Sequence, residues 1–140
     1  MIPIEITLPG LPRGKGRPRF SARGGFARAY TDAKTASYEG ALRLAGAAVM
    51  AGRSPLTCAL ALEMVAVFPI PASWSRRKKA EAEQGIIRPT GKPDCDNLLK
   101  CIDGLNEIVW KDDAQIVRAT ITKVYGSNPE LWISVRDHTP

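Results

Sequence analysis

Acidic residues are missing from the whole stretch between Pro9 and Thr31, and long apolar runs are missing from the chain altogether. A membrane-spanning helix needs roughly 20 consecutive apolar residues, so no such span is expected. The opening residues, Met-Ile-Pro-Ile-Glu, carry neither the basic region nor the apolar run of a secretory signal. A soluble, cytoplasmic protein with no membrane partner is therefore expected. Cys58, Cys95 and Cys101 cannot all pair within one chain, and none has the CxxC spacing of a zinc site. They are read as reduced, semi-buried packing residues. The single histidine, His138, lies in a tail expected to fray and is not read as a ligand. Internal repeats are absent, and no low-complexity segment stands out beyond the acid-free stretch.

What is present describes one domain over residues 1–140, large enough for a single core. The net charge of +6 favours a polyanionic partner without naming one. Six cations concentrate in the acid-free loop, about 10–30: Arg13, Lys15, Arg17, Arg19, Arg23 and Arg28, interleaved with glycines and two aromatics. Such a segment cannot build a packed core. It is either a solvated loop or a phosphate-contacting one, in which each contact steepens the salt dependence of binding.

Alternation of apolar and polar residues predicts four strands, around Ile2–Leu8, Leu60–Phe68, Val117–Thr122 and Leu131–Val135. Between the first two, Thr31 can cap a helix with Tyr38, Ala41, Leu42, Ala45, Ala48 and Val49 on one face, closed by Gly52 and Pro55. Glu39 on that helix reads as a surface residue. An insertion of about 71–92 follows the second strand. In it Ser73 can cap a short helix from Trp74 to Gln84, stopped at Gly85, whose first turns hold Arg76, Arg77, Lys78 and Lys79. Cations there oppose the helix dipole, a placement that suits contact with DNA. The expectation is an α/β (α+β) fold: a small mixed four-stranded sheet with helices packed on it, in the order β-α-β-(α)-α-β-β.

After Pro93, Leu98, Leu99, Ile102, Leu105 and Val109 recur at helical spacing, with Asp96, Lys100, Asp103 and Glu107 on the opposite side. Asp94 sits at the start of this helix, where an acid usually caps. Asp96 and Lys100 can be a plain i,i+4 pair. A second acidic pair, Asp112-Asp113, follows the helix. If the next strand returns alongside, these acids converge and repel one another. A hard divalent ion with oxygen ligands, Mg²⁺ or Mn²⁺, would relieve that repulsion. Asp103 and Glu107 lie farther along and read as solvated.

Lys92-Pro-Asp-Cys-Asp-Asn-Leu-Leu-Lys100, followed by Ile108-Val-Trp-Lys-Asp-Asp-Ala-Gln-Ile-Val117, resembles the RusA family of Holliday junction resolvases (crossover junction endodeoxyribonucleases). The phage-type members, often prophage-borne, are the nearest in form. The resemblance implies a homodimeric, Mg²⁺-dependent enzyme that resolves four-way DNA junctions by paired symmetric nicks in recombination and repair. It implies Asp94, Asp96 and Asp113 as catalytic metal ligands. Asp112 is the weaker choice, since neighbours on an extended segment point opposite ways. It also implies Lys100 as a catalytic cation near the scissile phosphate and Asn97 in a supporting role. The basic loop (Arg13, Lys15, Arg17, Arg19, Arg23) and the insertion (Arg76, Arg77, Lys78, Lys79) would then meet DNA. Rival readings are a metal-dependent nuclease on other branched or single-stranded DNA, and a non-catalytic basic nucleic-acid-binding protein.

Overall fold

The computed structural model describes residues 2–139 apart from 17–18, 22, 26–27 and 31–32, and gives backbone elements alone within 19–30 apart from two glycines. Arg17 and the Thr31 cap thus lie outside the described residues, as do the side chains of Arg19, Arg23 and Arg28.

A four-stranded sheet is formed by β1 (Ile4–Pro9), β4 (Leu60–Pro69), β5 (Ile116–Gly126) and β6 (Glu130–Asp137). Their spatial order is β1-β6-β4-β5. Every pairing is antiparallel except β4 with β5. Alternation sets the core: Ile4, Ile6 and Leu8 of β1, Leu60, Leu62, Met64, Ala66 and Phe68 of β4, and Leu131, Ile133 and Val135 of β6 are buried. They face one side of the sheet, as a period of two requires. Ile2, expected in the first strand, is 87% exposed and precedes it. On β5, an edge strand, Val117 and Ala119 are exposed and Ile121 is only half-buried. The acid-free loop, expected to be irregular, contains a short antiparallel hairpin of β2 (Arg19–Ser21) and β3 (Arg28–Tyr30).

Helix α1 (Ala33–Met50) packs on β1 and on the segment after the acidic motif. Leu42, Gly46 and Met50 are buried and Tyr38, Ala41, Ala45 and Val49 half-buried, whereas Ala48 is exposed. The inner face is therefore turned slightly from the expected one. Helix α2 (Arg76–Glu83) is capped by Ser75, whose hydroxyl accepts from Lys78 N, so it starts two residues later than the Ser73 reading. Among the described residues no helix is long and apolar enough to cross a membrane.

The acidic helix is the largest departure. Helix α3 (Cys95–Lys100) gives way at once to a 3-10 turn over Cys101–Leu105. Leu98, Ile102, Leu105 and Val109 are buried all the same, so the apolar stripe does its packing on a segment that is not one continuous helix. Gly104 and Asn106 are poor helix formers. Beyond them Trp110 is fully buried, and its indole N–H donates to Asn106 Oδ1 at 2.7 Å. A buried indole needs such a partner, and satisfying it folds the chain back instead of letting the helix run on. Cys101 is buried and Cys58 and Cys95 are exposed, all as free thiols. Burial pushes the Cys101 thiol up to about 12.

Candidate active site

The crossover from β4 to the parallel strand β5 brings the second acidic pair home. Because Leu60 is level with Ile116, β5 begins beside the start of β4, and α3 packs against β5. Asp113 therefore stands next to the acidic helix and not a helix length away. Asp96, Lys100, Asp103 and Asp113 surround one open cavity of about 270 Å³, with Leu99, Ile102, Ile116 and Ala119 as its apolar floor.

The positions of the acids follow from local structure. Asp94 is the N-cap of α3, its Oδ1 accepting from Asn97 N at 2.8 Å. It is not among the residues lining the cavity. Asp96 lies in the first turn, and its Oδ2 is 3.1 Å from Lys100 Nζ. Asp103 follows on the same side, three residues past Lys100, where a 3-10 turn brings i and i+3 into line. It is drawn into the site and not left in solvent as expected; Glu107 is exposed, as expected. Asp112 caps the 3-10 turn Asp113–Gln115 by accepting from Ala114 N at 3.0 Å, while Gln115 Oε1 accepts from Asp112 N at 2.9 Å. Gln115 Nε2 donates to the Leu56 and Cys58 carbonyls, which ties the acidic turn to the chain before β4.

Asp113 stands close to two other carboxylates, Asp103 and Asp112. The neighbouring Asp103, then partial desolvation, then Asp112 raise its carboxyl to about 6. The partners move the other way. Burial opposes ionisation of Asp103, but the hydrogen bond from Lys15 and then Asp113 hold it below the usual range. Asp112 is held low by Ala114 N and then by Asp113.

Among the described residues, no three His, Cys, Asp or Glu side chains are grouped as a ready metal-holding cluster. The donor set nonetheless fits a hard cation. The carboxylates at the cavity, Asp96, Asp103 and Asp113, are all oxygen donors, and Mg²⁺ in phosphoryl chemistry takes one or two carboxylates plus water and substrate oxygens.

Beside this cavity lies a basic one. A cleft of about 390 Å³ is lined by Arg13, Lys15, Lys34, Lys92 and Asn97, among others. Asp96 and Asn97 are consecutive in α3, so the two cavities adjoin along one helix. Lys34 and Lys92 were not singled out as DNA contacts by sequence; their signal was charge alone, which is weak on a basic chain. Lys15, expected as a phosphate contact, lines this cleft, and its ammonium is paired within the protein, 2.7 Å from Asp103 Oδ2 and 3.2 Å from Glu39 Oε1. Glu39 is correspondingly half-buried and not a plain surface residue. In the insertion, Arg77 pairs with Glu81 at 3.3 Å and Lys78 Nζ sits 4.1 Å from the Trp74 ring centre. Neither these two nor Arg76 and Lys79 line either cavity.

The sequence pattern of the family described as Endodeoxyribonuclease RusA matches residues 9–136. A protein of Bacillus subtilis (strain 168), described as uncharacterized protein YqaN, is 34% identical over 137 residues, which is 96% of each chain. The match defines the class, a nuclease that hydrolyses DNA within the strand. The chain belongs to the RusA endodeoxyribonuclease family.

Proposed function

We propose that this protein is a Mg²⁺-dependent, structure-specific endonuclease that resolves four-way DNA junctions, and that it does so as a homodimer. The observation that carries the reading is the convergence of Asp96, Lys100, Asp103 and Asp113 on one cavity beside a basic cleft. A DNA phosphodiester is anionic and resists attack by water. Cutting it needs a positioned nucleophile and neutralisation of the charge that grows on the phosphate and the departing oxygen. A divalent ion held by Asp94, Asp96 and Asp113 would supply Lewis acidity and a lowered water pKa; Mn²⁺ fits the same oxygen ligands. Asp94 spends Oδ1 on its cap, which leaves its second oxygen for that role. Lys100 places its ammonium at the cavity, where it meets phosphate charge. Arg13, Lys34 and Lys92 guide the backbone along the cleft.

A dimer follows from the substrate. Two symmetric strands are cut alike when a two-fold protein presents the same site to each.

The test is a labelled four-way junction incubated with and without Mg²⁺, alongside flap, nicked and single-stranded DNAs. Symmetric, ligatable nicks that need the metal are expected. Preferential cutting of flaps or single strands would move the reading to a different nuclease, and binding without cutting would reduce it to a DNA-binding protein. Asp96→Asn should depress cleavage by about 10²–10³-fold while keeping junction affinity, since it removes a charge that repels DNA. Wild-type nicking by this variant would remove Asp96 from the site.

A further inference from the structure

Lys15 stands in the run of cations that looks made for phosphate, yet its side chain is turned inward. Its Nζ donates to Asp103 Oδ2 at 2.7 Å and lies 3.2 Å from Glu39 Oε1, with only 24% of the side chain exposed. Glu39 Oε1 is buried and makes no hydrogen bond of its own, so the ammonium is what offsets its charge. The backbone is fastened at the same place. Lys15 N donates to the Asn97 carbonyl at 3.1 Å, and Gly16 N to Thr35 Oγ1 at 2.8 Å.

Two glycines allow this approach. A Cβ on Gly14 would stand 2.9 Å from Pro93 Cβ and 3.0 Å from Asn97 Cβ. One on Gly104 would stand 2.7 Å from the Glu39 carbonyl oxygen. The loop is thereby pressed onto the start of α3, and the Asp103 turn onto α1. The two carboxylates are close enough for one lysine to hold both. Asp103 in turn lines the same cleavage cavity as Asp113.

We propose that Lys15 and Asp103 are positioning residues of the nuclease, a buried-side strut that fixes the Asp113 carboxylate and couples the DNA-binding loop to the cutting site. Resting on the nuclease reading, this adds two residues that act through Asp113, even though Asp103 lines the cavity and Lys15 the cleft. Without the ammonium, Asp103, Glu39 and Asp113 face one another as uncompensated charges, and Asp113 loses its fixed direction. A misplacement of about 1 Å at a reacting group can slow a reaction by ~10²-fold.

The experiment compares Lys15→Met and Asp103→Asn with wild type. It measures junction affinity over a salt series in Ca²⁺ and the single-turnover rate in Mg²⁺ at saturating protein, with melting curves as the fold check. Arg13→Ala serves as the reference for a true phosphate contact and should lower the slope of log K against log salt by about one. For Lys15→Met we expect an unchanged slope and an affinity within about two-fold, with the saturated rate down about 10- to 100-fold. The isosteric Asp103→Asn should show the same split should Lys15→Met melt too low to assay. The double variant should be no slower than the slower single one, because both break one chain of contacts. A flattened slope with a normal saturated rate would make Lys15 a phosphate contact and overturn the proposal. So would full-rate cleavage by folded Asp103→Asn. Wild-type protein that cuts no DNA would instead overturn the nuclease reading, a failure visible before any variant is compared.

Discussion

Asp113 holds its proton into a pH range where an ordinary aspartate has lost it. Its folded value of about 6 lies above 3.8, so between those values the native state binds a proton that the unfolded chain does not. The stability this group contributes is complete below about pH 4 and is lost as pH rises through about 6. Asp103 and Asp112 are shifted down, and their contributions run the other way, lost on acidification. Asp113→Asn keeps a donor for Asp103 and removes the charge. It should therefore raise stability near pH 7.5 by about 1 kcal/mol, allowing for solvent screening at a partly exposed site. The gain should fade by about pH 4.5, while cleavage is lost. Melting curves at the two pH values check this; an equal shift at both would mean that repulsion is not what raises Asp113. That Asp96, Lys100 and Asp113 would come together on one cavity was readable because they stand in motifs. Asp103 was on the right face at i, i+4, i+7 from Asp96 but was set aside as too far along. The pairing of Lys15 with Asp103 could not be read: the two are 88 residues apart, and nothing in an acid-free run announces a distant acid.

At the level of elements, the cap of α3 separates two tasks that one aspartate can perform. Asp94→Ala would lose the cap bond, at about 1 kcal/mol, and the charge together. Asp94→Ser keeps a capping oxygen and loses only the charge. We expect the serine variant to melt within about 0.5 kcal/mol of wild type and, if Asp94 holds the proposed ion, to cut at least ten-fold more slowly. Unchanged cleavage by Asp94→Ser would leave the residue a cap alone. The four strands were legible because burial on one face imposes a period of two, and the inward positions of β1, β4 and β6 are buried as read. Edge strand β5 blurs that period, and its Val117 is 58% exposed. The length of the acidic helix was not legible, because an apolar stripe at helical spacing is buried equally well by a short helix, a 3-10 turn and a folded-back Trp110. A mixed sheet was expected, but which two strands run parallel, β4 and β5, was hidden. Their pairing depends on the whole crossover, and it is the feature that delivers Asp113 to Asp96.

If the substrate is a four-way junction, the whole molecule would meet two equivalent strands, and one cavity would serve one of them. If the working unit is a two-fold dimer, an inactive subunit silences one of the two nicks and leaves the other. Mixing wild type with Asp96→Asn and allowing subunits to exchange gives a sharp expectation. At equal proportions about a quarter of dimers carry two live sites and about half carry one. On a cruciform plasmid, paired cleavage linearises the DNA and single cleavage only relaxes it. Linear product should therefore fall toward about one quarter of the wild-type yield at limiting enzyme, and nicked circles should accumulate in its place. Independent monomers would behave differently. With no shared unit, both products would simply track the concentration of wild-type chain, and the ratio of linear to nicked DNA would equal that of wild type at half dose. Binding should remain intact throughout the mixture, because the basic cleft of Arg13, Lys34 and Lys92 is present in every subunit and Asp96→Asn only lessens the repulsion of DNA. A shift in that product ratio at constant junction occupancy would therefore report symmetry, separately from affinity and from chemistry at any one site.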